Sequence, residues 1–258
     1  MRRSAIESYM TCPQQYQYRW VEGLVPPQMA LAPFVGVVFR TAMQRWLQTP
    51  VVDRSESWLI ECLKSALAQH EAEVEPDRWQ EAKELLKPMI RAYYQKFGND
   101  PTVYGATEIP VSKGSLTATI DGSIELGDGR WMIEHKTGDP DEEMLMLNNF
   151  QVDLYHVLAT HSGLDHKGTA FTIVERPRSA DQKKLPAVHR YWMEKSANAL
   201  ADALRTAETV QTAIDLGIVY RHRGIHCSWC DYRWLCRMHL LGGDEQALKE
   251  QMFMKEPQ

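Results

Sequence analysis

Residues 120–136 read IDGSIELGDGRWMIEHK. Apolar and polar residues alternate on both sides of Gly127-Asp128-Gly129, the pattern of two strands joined by a tight turn. Residues two apart in a strand share a face. Glu134 and Lys136 therefore point one way and His135 the other. Across the turn, Asp121, Ser123 and Glu125 share one face of the partner strand. Register decides whether the two polar faces coincide. If they do, carboxylates and an ammonium converge at one end of a sheet. Such oxygen donors suit a hard divalent cation such as Mg²⁺, with the lysine placed to orient water or offset developing charge. Taken alone, Glu-x-Lys is a common tripeptide and reads more often as a solvated ion pair.

Working outward, residues 106–140 extend the alternation to three strands, with a further turn at Lys113-Gly114. Before them the chain is helical. Residues 4–22 form a short amphipathic helix broken at Cys12-Pro13, 26–33 form a loop, and helical spacing runs through 34–47, 55–72 and 77–98. Gly98-Asn99-Asp100-Pro101 stops the last helix. After the strands, 147–163 return to helical periodicity, 168–177 (GTAFTIVERP) form another strand, and 195–217 form an Ala-rich helix. The final dozen residues read as a loose tail. The order implies a mixed α/β core (104–217) with a helical part (34–100) before it, all in one domain of 1–258.

The 258 residues carry a net charge of −5, with 44% apolar and 24% charged residues. This composition suits a globular protein with a sizeable core and excludes a uniformly basic nucleic-acid coat, though not a local basic groove. No stretch has the apolar length of a membrane span, and Met1-Arg2-Arg3 opens no signal peptide. The expected location is the cytoplasm, where clustered cysteines bind metal rather than pair. Three of the five cysteines fall within IHCSWCDYRWLC (225–236). Three thiolates leave a four-coordinate site one ligand short.

The order of these elements resembles the PD-(D/E)XK nucleases of the RecB type. A carboxylate strand is followed by Glu134-His135-Lys136 and then by Gln151 and Tyr155, four apart on the next helix and so on one face. The resemblance implies a restriction-endonuclease-like mixed sheet flanked by helices. It implies Mg²⁺ or Mn²⁺ on Asp121 and Glu134, Lys136 positioning water, and Gln151 and Tyr155 along the DNA path. Members with an iron–sulfur cluster, such as AddB subunits and the CRISPR-adaptation nucleases, open with a Ser…Cys-Pro-x-x-aromatic pattern and close with C-x2-C-x5-C. Here Ser4, Cys12, Pro13, Tyr16 and Tyr18 match the first, and Cys227, Cys230 and Cys236 the second. Cys12 is then the fourth ligand of a [4Fe–4S] cluster, with zinc as the alternative occupant. The cluster would staple the C-terminal segment to the N-terminal one. Cys62 is left to packing.

Two positions depart from that family's pattern. Its G-x-x-x-H, with a metal-binding histidine, appears here as Gly36 followed by Arg40. A guanidinium has no acceptor for a cation; Arg40 either holds a phosphate of the nucleic acid or pairs with an acidic neighbour. The motif acid is either Asp121 or Glu125, with Asp121 preferred, and Glu108 is a further candidate. The segments 221–226 and 175–179 are the best local basic patches. The aromatic residues of 16–20 and 229–234 are expected to pack around the cluster.

The resemblance implies a Mg- or Mn-dependent deoxyribonuclease of bacterial or viral type, more readily an exonuclease on single-stranded DNA ends than an endonuclease. A helicase or recombination partner would supply unwinding. The alternative is a catalytically impaired DNA-binding or scaffold protein that retains fold and cluster.

Overall fold

A computed structural model describes residues 1–100, 104–139, 149–177 and 184–256. The chain forms two compact units. One gathers Met1–Pro27, Ser115–Thr117 and Ala201–Gln258; the other comprises Gln28–Gly114 and Ala118–Leu200.

The first unit begins with α1 (Arg3–Thr11) and α2 (Pro13–Tyr16). Between them Cys12 is extended, at φ −163°, and buried. Pro13 has no N–H to continue α1 but suits the first position of a new helix. A π-helical turn (Gln17–Val21) then carries Tyr18 fully inward, ahead of β1 (Leu24–Val25).

The second unit opens with α3 (Leu31–Gln48), α4 (Glu56–Gln69) and α5 (Pro76–Phe97). In α3 the pairs Phe34-Val35, Val38-Phe39, Ala42-Met43 and Trp46-Leu47 recur every four residues and are all buried, the apolar stripe a helix needs to pack on a core. The Ser55 hydroxyl accepts from the Trp58 amide and caps α4. These helices pack on one face of a five-stranded sheet, against Ile124, Trp131, Ile133, Ala170 and Val174. The strands are β2 (Tyr104–Lys113), β3 (Leu116–Leu126), β4 (Gly129–Thr137), β5 (Gly168–Val174) and β6 (Val188–Glu194), side by side in that order. β3 and β4 are antiparallel, β4 and β5 parallel, and β5 and β6 antiparallel. A side chain at Gly168 would come within 2.6 Å of the Trp131 ring, so β5 must start with glycine.

Helix α6 (Phe150–His161) lies between β4 and β5 in the chain. Its buried His156 shares a hydrogen bond of 2.8 Å with Thr169 of β5. Burial above all, with His166 and Lys195 nearby, lowers the His156 pKa to about 4. The unfolded chain therefore takes up a proton that the folded one refuses. This stabilising difference is complete above the ordinary histidine pKa and is lost as pH falls from there toward 4. Urea unfolding should give a stability about 2 kcal/mol lower at about pH 5 than at about pH 7.5 from this group. In His156→Gln that part of the slope should vanish; an unchanged slope would refute the assignment.

Past β6 come α7 (Ala197–Asp215), a short 3-10 turn (Ile225–Ser228), α8 (Arg233–Leu240), α9 (Glu245–Met252) and β7 (Met254–Lys255). β7 pairs antiparallel with β1, and Tyr18, Leu24, Tyr232 and Leu235 form a small core with Leu248 and Phe253 against it. The Tyr232 hydroxyl donates to the Leu24 carbonyl at 2.7 Å. The two ends of the chain thus fold together.

Two expectations are corrected. The closing residues are not a loose tail, because α9 is capped by Asp244 and held by a Lys249–Glu22 ion pair at 2.7 Å. The strand β6 was not anticipated. Its Arg190, mostly but not fully covered, pairs with Asp100 at 3.0 Å and stacks 3.7 Å over the Phe97 ring.

Candidate active site

The open question of register is settled by the β3–β4 hairpin. Gly122 pairs with Ile133 and Glu125 with Arg130, so one step further on Asp121 stands opposite Glu134. Opposed residues of an antiparallel pair share a face. Asp121 Oδ2 accepts the His135 amide at 3.1 Å, which fixes its carboxylate beside that of Glu134. Both acids are buried, with side chains 8% and 6% exposed. His135 turns to the opposite face, where its ring lies among Phe39 and Tyr93 and burial drives its pKa to about 3.

Helix α6 completes this side of the sheet. Asn149 caps it by accepting from the Val152 amide, which sets Gln151 in the first turn. The Gln151 amide is a hub. Its oxygen accepts from Lys136 Nζ at 3.4 Å, while its nitrogen donates to Glu134 Oε1 at 3.2 Å and to the Tyr155 hydroxyl at 2.9 Å. Lys136 Nζ lies 3.6 Å from Glu134 Oε1. Tyr155 was expected along the DNA path; it is buried, at 3% exposure, with its hydroxyl bonded to Gln151. Asn149 was missed in the sequence, although an asparagine directly before an apolar run is a helix-start signal.

Arg40 of α3 sets its guanidinium 3.5 Å from Asp121 Oδ1. Burial pushes the Asp121 carboxyl up, against the pull of Arg40, the His135 amide and Lys136. Glu108 shares this environment: burial raises its carboxyl, Arg40 opposes the rise, and the Asp121 charge adds to it. Glu108 is held at φ +50°, the single non-glycine residue with positive φ among the described residues. Strain of this kind persists where the surroundings fix it, and it clusters at functional sites. Glu125 is not brought to the cluster. It lies four residues from Asp121 along β3, 60% exposed and paired with Arg130.

In the first unit, Cys12, Cys227, Cys230 and Cys236 line one cavity of about 450 Å³ together with Arg221 and Arg237. Burial pushes the Cys230 thiol up to about 11, with Cys236 and Cys12 contributing. Cys62 is apart from them, buried in α4. Tyr18 and Tyr232 pack inward as expected, but Trp229 and Trp234 are 67% and 41% exposed. Of the two basic patches, 221–226 borders the cavity; 175–179 lies partly outside the described residues.

The family model of the PD-(D/E)XK nuclease superfamily matches residues 3–237. The chain belongs to the PD-(D/E)XK nuclease superfamily. Its mixed sheet flanked by helices is the restriction-endonuclease-like fold of such nucleases. The crystal structure of a "Putative exonuclease" from Eubacterium rectale is similar to this nuclease chain with a TM-score of 0.54 and 12% identity, over 90% of this chain and 87% of that one. At that identity the likeness is one of fold. The structure of LHK-Exo in complex with dAMP aligns with a TM-score of 0.33 and 9% identity, over 72% of this chain and 91% of that one. Among curated proteins none matches this sequence.

Nucleases of this superfamily imply a divalent cation. Among the described residues, no three His, Cys, Asp or Glu side chains stand close enough together to hold a metal as placed. The donor chemistry nonetheless fits. Asp121 and Glu134 offer buried carboxylate oxygens from facing strands, the hard donors Mg²⁺ and Mn²⁺ take. The four thiols are soft donors at one cavity and fit an iron–sulfur cluster or zinc. Among the described residues no helix is long and apolar enough to cross a membrane.

Proposed function

We propose that this chain is a metal-dependent DNA nuclease that hydrolyses phosphodiester bonds at single-stranded ends. The observation that carries this reading is the convergence of Asp121, Glu134 and Lys136 on one face of the β3–β4 hairpin, tied to α6 through Gln151. Asp121 and Glu134 would hold the divalent cation, with Glu108 beside them. When bound, the cation supplies positive charge to the phosphoryl group and acidifies water. Lys136 Nζ, held by Glu134 and Gln151, orients the attacking water and offsets charge on the phosphoryl oxygens. Tyr155 fixes the Gln151 amide by accepting one of its hydrogens, so Gln151 presents its oxygen to Lys136.

The preference for single strands is supported in the first unit. Arg221, Arg223, Arg233 and Arg237 stand against Asp231 there, and Trp234 lies within 5.4 Å of two of those guanidinium groups. Exposed tryptophans beside arginines suit stacked bases and a phosphate backbone. Cys12, Cys227, Cys230 and Cys236 hold a [4Fe–4S] cluster that fastens this unit. A cytoplasmic setting would suit a thiolate-bound cluster, and a helicase partner would open duplex ends.

One observation favours a second reading, a DNA-binding protein that no longer cleaves: Arg40 is already paired with Asp121. Incubating anaerobically purified protein with end-labelled single-stranded DNA separates the two. Mononucleotide or short products with Mg²⁺ or Mn²⁺, absent with chelator, are expected. Retained DNA binding without products in either metal would favour the second reading.

A further inference from the structure

We propose that Arg40 is a built-in cation of the active site, so that this site takes one divalent ion rather than two. The proposal rests on the nuclease reading above and deepens it. Arg40 lies one turn beyond Gly36 on α3, where a side chain on Gly36 would reach to 3.6 Å of Thr137 Oγ1 at the end of β4. The helix thus passes close to the strand that carries Glu134 and Lys136. From there the Arg40 guanidinium reaches Asp121 Oδ1 at 3.5 Å, while Asp121 Oδ2 is taken by the His135 amide.

Charge decides how many ions fit. Glu108, Asp121 and Glu134 bring three negative charges, and Arg40 and Lys136 bring two positive ones. One divalent ion turns the remaining single negative charge into a single positive one, matched to a phosphodiester. A second ion would raise the site to three positive charges around buried groups, where like charges repel strongly. Its natural oxygen donor, Asp121 Oδ1, already faces a guanidinium that has no acceptor to offer a metal. Arg40 remains about half exposed, at 47%, so its outer edge is open to a phosphoryl oxygen. There it supplies the charge that a second ion would bring.

The test is a count of Mn²⁺ bound by the whole chain, by isothermal titration and by the paramagnetic signal of free Mn²⁺, without nucleic acid. Wild type and Arg40→Lys are expected to bind a single ion that Glu134→Ala removes. Arg40→Gln and Arg40→His are expected to bind a second. Two ions in wild type, or a single ion retained in both Arg40→Gln and Arg40→His, would overturn the proposal and leave the nuclease reading standing. No ion in any variant would overturn both. Arg40→Lys and thermal melts of each variant exclude misfolding as the source of a changed count.

Discussion

Glu134→Ala and Lys136→Ala should each lower cleavage of single-stranded DNA on the order of 10³-fold or more, about 4 kcal/mol of transition-state stabilisation. Glu134 is the carboxylate on which the geometry converges. Its Oε1 meets both Gln151 and Lys136, and Asp121 is fixed opposite it by the His135 amide. In the proposed mechanism, removing it takes away a metal donor and one of the two groups that hold the Lys136 ammonium. Residues that act through others should matter less. Gln151→Ala should cost about 10- to 100-fold, the range for groups that orient a metal's ligands. Tyr155→Phe should cost less again, because Gln151 keeps two of its three bonds. Glu134→Gln, which preserves volume, guards against a simple folding defect. Glu125→Gln should cleave as wild type does, since Glu125 faces Arg130 at the turn. Loss of cleavage in Glu125→Gln with retention in Asp121→Asn would show that the acid has been misplaced.

The second large effect concerns the cysteines. With the proposed cluster in place, Cys12→Ser or Cys236→Ser should abolish its broad visible absorbance and the iron and sulfide bound. Each should also destabilise the first unit by roughly 3 kcal/mol or more. For a chain of this size that is a fall in melting temperature of roughly 6–12 °C. Limited proteolysis should then cut within 201–256, while the sheet unit, with its own buried core, persists. Structure should not vanish entirely from the first unit. The β1–β7 pair and the Tyr18–Tyr232 core remain without the metal. Full iron content in Cys12→Ser would exclude Cys12 as a ligand, and one zinc per chain with no sulfide would replace the cluster by a zinc site.

Local physics made some of the fold legible in the sequence. The Gly127-Asp128-Gly129 turn and the alternation around it define the hairpin, and the apolar pairs of α3 define its buried face. The periodicity over 147–163 gave helix α6, though not its start at the Asn149 cap. What stayed hidden depends on partners far away in the chain. Strand β6 was obscured because Arg190 and His189 break its alternation; Arg190 is tolerated there only because Asp100 and Phe97 receive it. Helix α9 looked like a tail because the residues that hold it, Glu22 and Tyr18, lie more than two hundred positions earlier. At the site, alternation narrowed the acids to one face but left Asp121 and Glu125 both open; only the pairing of Gly122 with Ile133 separates them. The Arg40–Asp121 contact could not be read from either segment alone.

The first unit's construction from both ends of the chain constrains how the protein is made. Cys12 leaves the ribosome long before Cys236, and at roughly 5–20 residues per second the interval is about 10–45 s. During that time α1 and the Tyr18 turn have neither β7 nor the Tyr232 core to close on. The sheet unit can fold meanwhile, since its segments are nearer one another in sequence. Closure of the first unit is therefore a late step, and any delivery of iron to the four cysteines must follow translation past Cys236. A nascent chain stalled before residue 227 would hold a finished sheet and an unpartnered N-terminal arm.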